Sequence, residues 1–187
     1  LPSDSGKSDN ELAVLASRGN ENAFREILVR NRSKILSICL RMLKNSTEAA
    51  EAAQDSFVKI YFHLKEFDPE RSFSSWAATI AINECRDRLR KRVRFNQTFR
   101  EITEVDIDRG QPSVDNAYEN KNRVELVEKA IEQLPPKLKE TLVLKAYGEY
   151  SYDEIAEILK IKTGTVMSRL FRAREKLTEI LKRDNLI

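Results

Sequence analysis

SYDEIAEILKIKTGTVMSRLFRAREKL, residues 151–177, reads as two helices joined by a tight turn. Ser151 and Glu154 have the spacing of a capping box, in which each side chain satisfies a backbone N–H at the start of a helix. Ile155, Ala156 and Leu159 then supply one apolar face. The KIK of residues 160–162 makes the turn, and Thr163 is placed to cap the next helix. On that helix Val166, Leu170, Ala173 and Leu177 recur at helical spacing and form the buried stripe. Thr165, Ser168, Arg169 and Arg172 fall opposite them, with Phe171 and Arg174 on the flanks. Small polar residues followed by arginines suit a helix lying in the major groove. There arginine matches the two acceptors of guanine, and other basic residues neutralise phosphate. An ordinary helical hairpin is also capped and can also be solubilised by arginines. The short turn and the polar-basic outward face together favour a DNA reader.

The rest of the chain is consistent with helices throughout. Its 187 residues hold one ordinary domain or two small ones. Hydrophobic residues are 41% and charged residues 34%, which suits thin-cored helical domains with charged surfaces. Five glycines and five prolines are too few for a turn-rich β fold or a phosphate-cradling glycine loop. The net charge of +3 says little by itself, but its distribution is uneven. RDRLRKRVR, residues 86–94, holds six bases and one acid, whereas REITEVDID, residues 100–108, holds one base and four acids. Such asymmetry suggests surfaces with different partners. Cys39 and Cys85 are distant in sequence and sit in apolar helical patterns, so they read as buried free thiols in a reducing cytoplasm. No apolar run approaches the roughly 20 residues of a membrane span.

Periodicity and punctuation divide the chain into an all-α architecture of two small helical domains joined by an extended linker. Residues 1–8 read as a polar, flexible tail. A capping box of Ser8 and Glu11 starts a short helix ending near Gly19, and an amphipathic helix follows from about Asn20 to Asn45. Ser46 or Thr47 is placed to cap a third helix reaching about Glu66, with Phe57, Ile60, Tyr61 and Leu64 directed to the core. Pro69 interrupts, and a fourth helix runs from about Ser74 to Arg94. Residues 96–116 are polar, acidic in the middle, and read as the linker. Helical patterns resume over 117–134 and 137–147, ahead of the helix-turn-helix.

LPPKLKETLVLKAYGEYSYDEIAEILKIKTGTVMSRLFRAREKL, residues 134–177, strongly resembles the −35-reading domain of bacterial sigma factors, particularly the extracytoplasmic-function (ECF) group. STEAAEAAQDSFVKIYFHLKEFDPERSFSSWAATIAINECRDRLRKR, residues 46–92, is similar in order and spacing to their polymerase-docking and −10 elements. The resemblance implies that residues 9–95 form region 2 and residues 117–187 region 4. In the docking helix Glu48, Glu51 and Asp55 share a face with Gln54 beside them, a pattern that suits a basic partner surface on the polymerase. For this helix alone an ordinary solvated face would be the simpler reading. Ala50 stands where the family often carries a second acid, which puts more weight on Glu51 and Asp55. In the −10 element the resemblance assigns Asn83 and Asp87 to a flipped base, and Arg86, Arg88, Arg90, Lys91 and Arg92 to phosphates. Trp76 and Ile80, one turn apart, read as a buried pair. Ser168, Phe171 and Arg172 match the family's −35 contacts. Met167 departs from a frequent arginine or lysine, which implies a different −35 preference there or a thymine-methyl contact. For the acidic linker, a plain spacer and a segment threading the polymerase channels both stand.

The implied function is promoter-specific initiation by core RNA polymerase, in the cytoplasm, with promoter DNA and an anti-sigma factor as further partners. No cofactor, metal or catalytic residue is implied, because the polymerase does the chemistry. A stand-alone helix-turn-helix regulator is the alternative, but it calls for a dimerisation surface or ligand pocket in the first domain. A nucleic-acid enzyme is a third class. His63, the one histidine, lies between Phe62 and Leu64, and no metal-ligand spacing or nucleophile–base constellation accompanies it.

Overall fold

The computed structural model describes residues 6–102 and 119–184, with side chains over 6–95 and 126–184. The helices are α1 (Asp9–Ser17), α2 (Glu21–Leu43), α3 (Ser46–His63), α4 (Phe73–Ile102), α5 (Glu119–Glu132), α6 (Pro136–Ala146), α7 (Tyr152–Leu159) and α8 (Thr163–Arg183). A single 3-10 turn, Leu64–Glu66, follows α3. Both capping boxes are present, at Ser8 and at Ser151. Two caps differ from expectation. Asn45, not Ser46 or Thr47, caps α3 by accepting from the Glu48 N–H at 2.9 Å. Thr163 is the first residue of α8 rather than its cap, and its hydroxyl donates to Asp153 Oδ1 at 2.9 Å, tying α8 to α7. The fourth helix also continues past its expected end near Arg94, so the start of the expected linker is helical as far as Ile102. The remainder of that linker and the tail at 1–5 lie outside the described residues.

Helices α1–α4 enclose one core, in which Ile27, Ile35, Ile38 and Leu43 of α2 meet Ala49, Ala52 and Ile60 of α3 and Phe73, Ala81 and Ile82 of α4. Alanines on facing helices let the backbones approach closely, so a thin core suffices. Trp76 and Ile80, expected as a buried pair, are both half-buried against this core, with the Trp76 ring 5.4 Å from that of Phe67 and 5.8 Å from that of Phe73. Cys39 and Cys85 are free and buried. They touch across α2 and α4, and the hydrogen bond to Cys39, together with burial, pushes the Cys85 thiol pKa far up.

Helices α6–α8 enclose the second core with Val143, Leu144, Ile155, Ile158, Val166 and Leu170. The expected stripe of α8 is inside: Val166, Leu170 and Ala173 are buried, and Leu177 packs beside Ala173 and Ile180. The two domains are not apart. Their apolar residues merge into one cluster, α6 packs on α2, and α7 packs on α4. Tyr150 is the main anchor of this seam. Its hydroxyl lies 2.9 Å from Ser74 Oγ, it donates to Ser74 O at 3.0 Å, and Lys34 Nζ sits 4.8 Å above its ring. Gly148 makes room for it, since a Cβ there would come within 2.6 Å of the Tyr150 ring.

Candidate nucleic-acid interface

The turn before α8 is closed by Lys160 in the left-handed conformation (φ 54°, ψ 51°), with the Ile161 N–H bonded to Ala156 O at 2.9 Å. This fixes the exit of α7 and the angle at which α8 leaves. Ser168, Phe171, Arg172 and Arg174 are exposed on α8, and Met167 lies beside them, also exposed. Thr165 is half-buried. Arg169 is set apart from this face: its side chain is 18% exposed and turns towards Glu140 of α6. Successive residues of a helix are ~100° apart, which places Arg169 next to the buried stripe rather than opposite it. The sequence already contained that signal.

On α4, Asn83, Asp87, Arg90 and Lys91 are exposed. Arg86 reaches back to Asn83 Oδ1 at 3.2 Å, and Arg90 pairs with Asp87 at 3.1 Å. The loop before α4 is pinned by Asn10 of α1. The Asn10 amide donates to Pro69 O at 2.9 Å and Arg71 O at 2.7 Å, and its oxygen accepts from the Phe73 N–H at 2.9 Å. Three bonds from one side chain therefore fix the loop against the first turn of α4.

The acids of α3 are already engaged. Arg88 bonds Glu84 at 2.8 Å, Glu51 at 3.3 Å and also Asp55, while Arg92 pairs with Glu48. Burial opposes the Arg88 charge, but these carboxylates outweigh it and hold the guanidinium pKa above its ordinary value. Glu84 is likewise disfavoured as an anion by burial, and the Lys59 ammonium at 2.5 Å and Arg88 together hold its carboxyl below the usual range. Arg88 and Arg92 thus neutralise the acidic face of α3 from α4, whereas Arg86 pairs with Glu140 of α6 and Arg90 with Asp87 of its own helix. Among the described residues Lys91 is left without such a partner.

What the sequence reading missed lies on the other side of α3. Phe24, Leu28, Leu36, Ala53 and Phe57 floor an apolar groove of about 620 Å³ between α2 and α3, rimmed by Arg32, Gln54, Val58, Tyr61 and Phe62. Tyr61 was expected in the core, yet it is 55% exposed, and Phe62 is 74% exposed. Their rings are 5.8 Å apart, and Tyr61 stacks edge-on against Phe24 at 5.0 Å. The run FVKIYF, residues 57–62, carries apolar residues around more of the helix than one core can cover, which is the signal for an outward apolar face.

Residues 27–95 match the family model of Sigma-70 region 2, and residues 125–177 match that of Sigma-70, region 4. The chain is 33% identical over 174 residues to the ECF RNA polymerase sigma factor SigW of Bacillus subtilis (strain 168), covering 88% of this chain and 92% of that protein. It belongs to the ECF RNA polymerase sigma factors. The RNA polymerase sigma-H factor of Pseudomonas aeruginosa is 30% identical over 182 residues, covering 94% of each chain. Among solved structures, CnrH in complex with the cytosolic domain of CnrY matches with a TM-score of 0.73 at 25% identity, covering 95% of this chain and 99% of that one. RpoE of Bartonella quintana, solved with the anti-sigma factor NepR, shares the fold with a TM-score of 0.69 at 24% identity, covering 85% and 96%. In this sigma factor, then, the groove of α2 and α3 lies within the region 2 match apart from Phe24, and α8 carries the end of the region 4 match.

Proposed function

We propose that this sigma factor divides its work by domain. As an ECF sigma factor it binds core RNA polymerase and directs promoter-specific initiation, and the polymerase supplies the chemistry. Residues 9–95 take the polymerase and the −10 element, and residues 117–187 take the −35 element. The observation that carries the reading is the presence of both matched regions, in order, in a chain that covers nearly the whole length of its curated relatives. For −35 reading, Ser168, Phe171 and Arg172 on the exposed face of α8 are the direct readers, with Arg174 on phosphate. For −10 reading, Asn83 and Asp87, exposed one turn apart on α4, take the base, and Arg90 and Lys91 meet the backbone.

For the polymerase, the exposed apolar groove supports a docking site better than the acids of α3 do. Glu48, Glu51 and Asp55 are spent on Arg88 and Arg92, whereas Gln54, Val58, Tyr61 and Phe62 are open. An amphipathic helix of the polymerase laid in the groove would bury those side chains, with Gln54 and Arg32 setting its register. An anti-sigma factor, of the kind solved with RpoE of Bartonella quintana, is the partner expected to compete for such surfaces in the cytoplasm.

The test is titration of purified core polymerase into the labelled full-length chain. Tyr61→Ser combined with Phe62→Ser should weaken core binding by at least about tenfold, because two large apolar contacts are lost. Glu51→Ala with Asp55→Ala should weaken it far less. Equal losses, or a loss only in the acidic pair, would return the docking role to the acids.

A further inference from the structure

Glu140 belongs to neither promoter-reading helix, yet it touches both. It lies in α6, is 5% exposed, and directs its two carboxylate oxygens at two different arginines. Oε2 accepts from Arg86 Nε at 3.0 Å and lies 2.9 Å from Arg86 Nη2. Oε1 lies 3.5 Å from Arg169 Nη1. Arg86 stands on α4, the −10 helix, and Arg169 on α8, the −35 helix. A carboxylate between two guanidinium groups offers them the same kind of anionic acceptor oxygens that a bound phosphate would.

The distances make this arrangement exclusive. Elements named for positions 35 and 10 are about 25 base pairs apart, or roughly 85 Å along B-form DNA at ~3.4 Å per pair. In this structure α4 and α8 meet on a single side chain. The closed molecule therefore cannot present both helices to one promoter, and two of its basic side chains are occupied before DNA arrives. Other seam contacts flank the site without using those arginines. Arg71 pairs with Glu157 at 2.6 Å, Arg41 with Glu128 at 2.5 Å, and Lys44 with Glu132 at 2.8 Å. Those pairs are more exposed and individually weak in water. Glu140 differs from them in being buried and in bonding two cations.

We propose that Glu140 is an internal phosphate mimic that clasps Arg86 and Arg169 and keeps the free sigma factor closed until polymerase binding draws its domains apart. The proposal rests on the assignment of α4 and α8 as promoter readers. In the free chain the clasp suppresses binding to DNA. In the holoenzyme, where the domains are held open, the carboxylate faces water and has no further role.

The experiment uses the full-length chain without polymerase. Glu140→Gln keeps the shape of the side chain and removes its charge. Small-angle scattering should then show a larger radius of gyration than the native chain. Affinity for a short labelled duplex should rise on the order of tenfold, and the log–log salt slope should steepen by up to about 0.9 for each released arginine. Tyr150→Phe, which leaves the three charged residues intact and removes only the bonds to Ser74, should loosen the seam in the same direction. With saturating core polymerase, run-off yield from Glu140→Gln should equal that of the native chain. If both variants stay compact with native DNA affinity, there is no clasp. If Asn83→Ala and Arg172→Ala leave holoenzyme transcription untouched, the assignment of α4 and α8 as promoter readers has failed and the clasp falls with it.

Discussion

Lys139 carries its charge into the seam between the domains. Its Nζ donates to Met42 O at 3.1 Å, in the last turn of α2, where the helix dipole favours a cation. Burial, and after it the nearby Lys44 ammonium, pulls the Lys139 pKa down to about 8, with Glu132 acting in the opposite direction. In an unfolded chain the same amine titrates near its ordinary value of about 10.5. Between those values the folded chain binds fewer protons than the unfolded chain, so its stability rises with pH across that window. At neutral pH both states are charged, and the fold bears the whole cost of burying the ammonium. Cys85 and Tyr150, the first pushed far up and the second to about 12, act in the opposite sense, but only once pH exceeds their ordinary values of about 8.5 and about 10. Thermal unfolding should therefore show a midpoint that rises from about pH 7.5 to about pH 8.5 and levels off above it, and Lys139→Met should flatten that rise. A native midpoint independent of pH over that interval would contradict the buried charge. Nothing in the string PPKLKE distinguishes Lys139 from Lys137, since both read as solvated charges on a helix. Burial of this kind comes from a partner domain that sequence periodicity does not describe.

Helix starts illustrate what local chemistry does reveal. The serine–glutamate spacing of both capping boxes is present in the sequence and in the structure, because the bonds involved span only three residues. At α3 three adjacent residues, Asn45, Ser46 and Thr47, can all cap, and the extended backbone at Asn45 (φ −93°, ψ 123°) selects the first. The end of α4 was not legible for a related reason: no glycine or proline stops the helix at Arg94, and charged residues continue it readily. The outward apolar face of α3 is a failure of a different sort, since an amphipathic pattern was read as having one apolar side when FVKIYF has two. Helix α7 has only eight residues, so its cap is a large share of its stability. Ser151→Ala should cost about 1 kcal/mol in denaturant unfolding, while the equivalent change at exposed Thr178, mid-helix in α8, should cost much less. Equal effects at the two positions would show that α7 is held by packing alone.

For the whole molecule, the order of the elements was legible and their meeting was not. Two helical domains follow from periodicity, and α8's buried stripe was correctly separated from most of its outward face. The seam depends on pairs distant in sequence, such as Arg86 with Glu140 and Ser74 with Tyr150, each unremarked within its own helix. The closed form also explains how a chain with a net charge of only +3 can serve DNA: its basic side chains are distributed to two sites and partly neutralised internally. Run-off transcription tests sigma activity most directly, using purified bacterial core polymerase, fragments of the source genome, and this chain as the only added factor. Defined transcripts should appear only when the chain is present, and their start sites should align on a shared two-part promoter. Arg172→Ala should weaken recognition of the upstream element by about 1–3 kcal/mol without abolishing core binding. An active core that yields no chain-dependent transcript would contradict sigma activity and leave α8 as the reading helix of a stand-alone regulator.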